Sequence, residues 1–148
     1  MGIVYSKIVL KNPRLPQLAV EADALADSGS LYLCIPEEIR AQLQLEIIAE
    51  KEVLLADNSV RTLPYAGPIE LRFKNRVGFT GALVVGDEVL IGAIPMEDMD
   101  LVIIPRTRTL DVNPASPDIA RSILKQNQTD YSVAYQEDAV VQSSEIAQ

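Results

Sequence analysis

The chain has 148 residues, with 13 Lys and Arg against 21 Asp and Glu, a net charge of −8, and no histidine. The acid excess argues against a nucleic-acid groove and against anionic membranes, both of which are recognised through clustered cations. Without histidine, Ser-His and Cys-His catalysis and nearly every zinc site are excluded, so hydrolytic chemistry falls to carboxylates, to lysine or to a metal held by oxygens.

Hydrophobic residues make up 48% of the chain but aromatics only 5%, so the core is expected to be aliphatic. Residues 2–10 alternate as a strand and Asn12-Pro13 breaks it. Leu18–Ala26 is a second apolar strand, with Val20, Ala22, Ala24 and Ala26 on one face. Asp27-Ser28-Gly29-Ser30 is a turn, and Leu31–Ile35 is a short strand. Pro36-Glu37-Glu38 opens a helix running to about Leu43, with its acids near the positive end of the helix dipole.

Residues 47–56 and 60–67 read as two strands joined by Asp57-Asn58-Ser59, a hairpin signal. Further strands are expected over 69–73, 77–85, 88–91, 101–104 and 109–112, with one short helical turn at 95–99. Many short strands, regular turns and no βαβ alternation indicate an all-β, closed or folded-over structure. After Asn113 the character changes. Pro114–Pro117 reads as a linker, Ser116 as the cap of a brief helix from Pro117 towards Lys125, and 126–148 as a polar, mobile tail. The division is therefore 1–113 as the domain and 114–148 as linker and tail. No segment reads as a membrane span or signal peptide. Cys34 stands alone, so no internal disulfide is possible and a cytoplasmic, reducing location is expected.

The chemistry concentrates at Asp27-Ser28-Gly29-Ser30. A carboxylate ends an apolar strand, glycine permits a tight turn, and neighbouring hydroxyls can hold the loop rigid. Taken alone, Asp-Ser-Gly is a common turn. Downstream, Val89-Leu90-Ile91-Gly92 is an apolar strand ending in glycine before the helical turn, and the 57–59 hairpin lies between the two motifs.

This order resembles the retropepsin-like aspartic proteases over about residues 3–113. Asp27-Ser28-Gly29-Ser30 matches the Asp-Ser/Thr-Gly-Ala/Ser signature and Val89–Gly92 the second apolar-Gly signature. The stretch Gly86–Asp100 looks like the small prokaryotic branch in particular. The resemblance implies a closed β-barrel subunit with a flap hairpin at Asp57, Asn58 and Ser59 and one short helix. It implies a peptide or protein substrate and no cofactor or metal. Asp27 would be catalytic, Ser28 would brace the loops, Gly29 would offer backbone contacts to substrate, and Ser30, Ile91 and Gly92 would support the site.

Such chemistry needs two carboxylates sharing a proton. The chain carries one copy of the motif, so the second Asp27 is expected from a two-fold homodimer. Viral members pair an acid and an arginine across their dimer. Here those positions hold Leu31 and Ala93, so other contacts must hold the dimer; the apolar Leu31–Cys34 could pack at that interface or in the core, and the core is expected. Cys34 reads as inert filler, and Glu97, Asp98 and Asp100 as a solvated acidic turn. Two rival readings stand beside the peptidase. One is a non-catalytic dimeric module that binds peptide or protein on the same fold. The other is a regulatory partner that uses residues 114–148 for contact.

Overall fold

The computed structural model describes residues 3–125. In chain order it contains β1 (Tyr5–Asn12), β2 (Leu15–Ala26), β3 (Leu33–Ile35), α1 (Glu37–Gln42), β4 (Glu46–Leu54), β5 (Val60–Phe73), β6 (Arg76–Val84), β7 (Val89–Ile91), α2 (Ala93–Asp98), β8 (Leu101–Ile104) and β9 (Thr109–Val112). The fold is all-β with two short helices. The expected turn at 95–99 is a full second helix of six residues, starting at Ala93.

The seven-stranded sheet runs β1-β2-β7-β3-β6-β5-β4, and an additional β1–β5 pairing closes six of these strands into a ring. The closed barrel expected from the strand pattern is therefore present, with β4 outside the ring. β8 and β9 form a separate two-stranded sheet. Alternation decides which side chains enter. Along β2, Leu18, Val20, Ala22, Ala24 and Ala26 turn inward while Ala19, Glu21 and Asp23 are exposed. Leu10, Leu33, Ile35, Leu43, Leu45, Ile69, Leu71, Val89 and Ile91 are fully buried. Each such aliphatic side chain stabilises the fold by roughly 1.5–3 kcal/mol. The core is aliphatic, as the composition requires.

The 60–67 and 69–73 segments form one long strand, β5, carried past Gly67-Pro68 by a register shift between Ala66 and Ile69. Both helices stop the same way. Gln44 and Asp100, two residues past each helix, adopt left-handed backbone with φ of 52° and 54°. The first stop is also held from β1, where the Asn12 side-chain amide donates to the Leu43 carbonyl at 2.9 Å.

No helix forms after Ser116; residues 117–125 are irregular. The Ser116 hydroxyl donates to Asp100 instead of capping its own N-terminus. The same carboxylate accepts the Arg121 N–H at 2.9 Å and the Asn113 amide at 3.1 Å. Asn75 donates to the Pro117 carbonyl at 2.7 Å, and Arg76, 2% exposed, donates to the Ser116 carbonyl. These bonds tie residues 113–121 to the barrel. The reading of 126–148 as a polar tail lies outside the described residues. Among those residues, no helix is long and apolar enough to cross a membrane.

Candidate active site

β7 lies between β2 and β3. It runs parallel to β2, with Ala24, Leu25 and Ala26 beside Val89, Leu90 and Ile91, and it pairs antiparallel with β3 through Leu90 and Cys34. The chain leaving β2 must therefore cross the end of β7 to reach β3. Asp27–Tyr32 makes that crossing. The Asp27 N–H donates to the Ile91 carbonyl at 3.0 Å, the Ala93 N–H to the Ser30 carbonyl at 2.7 Å, and the Ile94 N–H to the Leu31 carbonyl at 2.9 Å. The two motifs, far apart in sequence, form one hydrogen-bonded unit.

Gly92 is required sterically at this crossing. A Cβ there would lie 2.5 Å from the Tyr32 carbonyl oxygen and 2.6 Å from the Leu31 carbonyl carbon, both backbone atoms. Gly29 turns the loop so that its N–H donates to Asp27 Oδ1 at 2.9 Å, and Ser30 Oγ donates to Oδ2 at 3.1 Å. Each carboxylate oxygen thus has one fixed donor and remaining acceptor capacity. Asp27 is half-buried. Ser30, not Ser28, supplies the hydroxyl that holds it, and Ser28 is exposed beside it.

An apolar cleft of about 520 Å³ opens at this loop. One wall is Gly29–Tyr32 with Cys34. The other is the β4–β5 hairpin, through Glu52–Leu55 and Leu63, and Leu83 and Val85 complete it. Leu54 is 70% exposed and Leu31 53% exposed. The expectation that 31–34 lies in the core thus holds for Leu33, which is fully buried, and fails for Leu31, which lies on the loop before β3 begins at Leu33. Asp27 and Ser28 also line a second recess of about 250 Å³ with Ile3, Val4, Leu25, Ala26 and Ile103.

The structure brings together Asp27, Ser28, Gly29, Ser30, Ile91 and Gly92. Asp57, Asn58 and Ser59 sit apart at the exposed hairpin tip. There Asn58 takes φ of 68°, and Asp57 Oδ1 accepts both the Ser59 N–H at 3.0 Å and its hydroxyl at 2.5 Å. These bonds hold the Asp57 carboxyl below its usual range. The hairpin residues that reach the cleft are Glu52–Leu55 and Leu63, on either side of that tip. The turn signal does not mark Tyr32, Lys51 or Tyr65. Their contact depends on strand register, and no local motif betrays it.

Burial pushes the Cys34 thiol up, which favours the unreactive protonated form. Asp100 is far from a free acidic turn: its carboxyl is pulled down to about 2, first by the Ser116 hydroxyl, then by the Arg121 N–H and the Asn113 amide. Among the described residues, no group of three acidic, Cys or His side chains is placed to hold a metal ion.

No protein-family model matches the chain, and no curated protein matches it in sequence. Among solved structures, it is similar to the solution structure of the simian foamy virus (mac) protease, at 13% identity and a TM-score of 0.43, over 62% of this chain and 91% of that one.

Proposed function

We propose that this chain is an aspartic endopeptidase of the retropepsin-like kind, active as a two-fold homodimer in which each subunit contributes Asp27. The observation that carries the reading is a half-buried carboxylate on a glycine turn, held by Gly29 N–H and Ser30 Oγ at the junction of β2, β3 and β7, on a loop that walls an apolar cleft. The catalytic unit is residues 1–113, and the likeness of Gly86–Asp100 supports the small prokaryotic branch. The lone Cys34 suits a reducing cytoplasm.

Two carboxylates side by side hold one proton between them, because a second negative charge in the pair is disfavoured. The ionised Asp27 takes a proton from a bound water as its oxygen attacks the peptide carbonyl. The protonated Asp27 supplies a proton to the departing amine as the C–N bond breaks. The apolar ground beside Asp27 supports a subunit contact there. Ile3 is 69% exposed and shares the Asp27 recess with Ile103, while Leu31 and Ile94 are exposed on the same loop-and-helix unit. The β4–β5 hairpin would act as the flap, with Leu54 and Leu55 towards the peptide.

The test is cleavage of a diverse peptide library from acid to neutral pH, read by mass spectrometry, beside Asp27→Ala and with the oligomeric state measured. Cleavage that is lost in the variant and blocked by a transition-state-mimicking aspartic protease inhibitor is the expected result. A dimeric protein that cuts nothing sinks the reading and favours a peptide-binding module, for which the edge of β4, unpaired among the described residues, offers strand addition.

A further inference from the structure

Among the described residues β4 is hydrogen-bonded to β5 alone, and of its nine residues only Lys51 and Val53 are even half-buried. The hairpin thus meets the rest of the molecule through very few β4 side chains. Lys51 is the unexpected one. Strand alternation sends its neighbours Glu50 and Glu52 to the opposite face. Among the described residues its ammonium joins no ion pair.

Lys51 Nζ lies instead 5.1 Å from the centroid of the Tyr32 ring and 4.7 Å from that of Tyr65. The two rings meet edge to face, with centroids 5.9 Å apart and planes at 65°. Both distances fall within the range over which a cation is attracted to an aromatic face, and partial burial strengthens that attraction. Each ring is anchored in a different part of the molecule. Tyr65 belongs to β5; a Cβ at residue 81 would lie 2.3 Å from its ring, so Gly81 makes its seat, and the Gly81 N–H donates to its hydroxyl at 3.2 Å. Tyr32 ends the Asp27 loop, with its carbonyl packed against Gly92.

We propose that Lys51 is a positioning residue whose ammonium, held between Tyr32 and Tyr65, fixes the β4–β5 hairpin against the Asp27 loop and so sets how wide the cleft stands to an extended peptide. The effect on cleavage rests on the protease reading; the tie between hairpin and loop does not. Lysine suits the role because its four-carbon stem lies along apolar surface while its compact charge meets two faces at once.

The experiment is amide hydrogen exchange on the full-length chain for wild type, Lys51→Met and Lys51→Arg, together with peptide cleavage kinetics. Met keeps the length and packing of the stem and removes the charge, and Arg keeps a cation that can stack on the rings. In Lys51→Met, amides of residues 52–62 and of Ser30, Ala93 and Ile94 should exchange about five-fold faster. Leu71 and Gly78, on the far reach of β5 and β6, should be unchanged, and Lys51→Arg should restore protection. KM should rise about five-fold in Lys51→Met with kcat held within about two-fold, again restored by Arg. Unchanged exchange in Lys51→Met, a uniform rise that includes Leu71 and Gly78, or failure of Arg to restore would each overturn the proposal. If the exchange pattern holds while the wild type cuts no peptide, the tie stands and the protease reading falls.

Discussion

Asp27 and Asp100 are both held by a serine hydroxyl and a backbone N–H, yet they serve opposite ends. Asp100 collects the Ser116 hydroxyl, the Arg121 N–H and the Asn113 amide, with the Arg76 guanidinium 3.7 Å away. Its acceptor capacity is nearly used up, and it ties the segment after β9 to the barrel. Among the described residues Asp27 has one donor on each oxygen, no cation beside it and a half-buried position on a loop whose following residues, Gly29–Tyr32, wall a cleft. A carboxylate saturated with donors is a fastening. One that is held in place with lone pairs to spare is equipped for chemistry.

The contrast can be broken most sharply at Asp27. On the proposed two-fold dyad, Asp27→Asn should reduce peptide cleavage by at least about a thousand-fold, because both of its members would change at once. Its thermal midpoint should stay close to wild type. A large loss of stability instead would make Asp27 a fastening like Asp100.

Gly92→Ala should cost about 1–3 kcal/mol in urea unfolding, since the added methyl meets backbone at Tyr32 and Leu31. Cleavage by the remaining folded protein should also fall, because the same backbone carries the Asp27 loop. Ser30→Ala should lower kcat by about ten-fold with little change in stability, by freeing one carboxylate oxygen. Ser28→Ala, measured in parallel, should have the smaller effect on kcat, and the reverse order would favour Ser28 as the bracing hydroxyl.

The smallest effects are expected at Asp100. Its folded carboxyl sits at about 2, below the ordinary 3.8, so the native state prefers the ionised form. That contribution is complete above about pH 4 and is lost as pH falls towards 2. Urea midpoints of wild type and Asp100→Asn should therefore converge over that acid window and separate above it, with peptide cleavage near neutral pH unaffected. Midpoints that differ equally at every pH would show that the carboxylate charge is not what Asp100 contributes.

Much of this was legible in the sequence where the cause is local. β8 and β9 fall where their alternation puts them, and Asp-Ser-Gly is a turn that any chain would make there. The closed barrel follows from many short strands, although the β1–β5 pairing that closes it has no sequence mark. Errors arose where a distant partner outbid a local preference. Ser116 has the chemistry of a helix cap, but its hydroxyl goes to Asp100, and the helix after it does not form. Gly67-Pro68 looks like the end of a strand, yet β5 continues through it by shifting register against β6. At the site, the Asp57–Ser59 turn drew attention because turns are easily read. The hairpin residues that reach the cleft are Glu52–Leu55 and Leu63, and the cation between Tyr32 and Tyr65 depends on pairing Lys51 with Leu63 across the hairpin.

The placement of β7 between β2 and β3 also sets an order of events during synthesis. Asp27 leaves the ribosome before the strand that shapes its loop, which is made only when Val89–Ile91 emerges, and Gly92 follows it. Contacts between such distant parts of a chain form slowly, since a long loop must close before they return any stabilisation. A growing chain that ends before β7 therefore carries the aspartate without its support. The loop that holds Asp27 thus takes its final shape only after most of the barrel has been made.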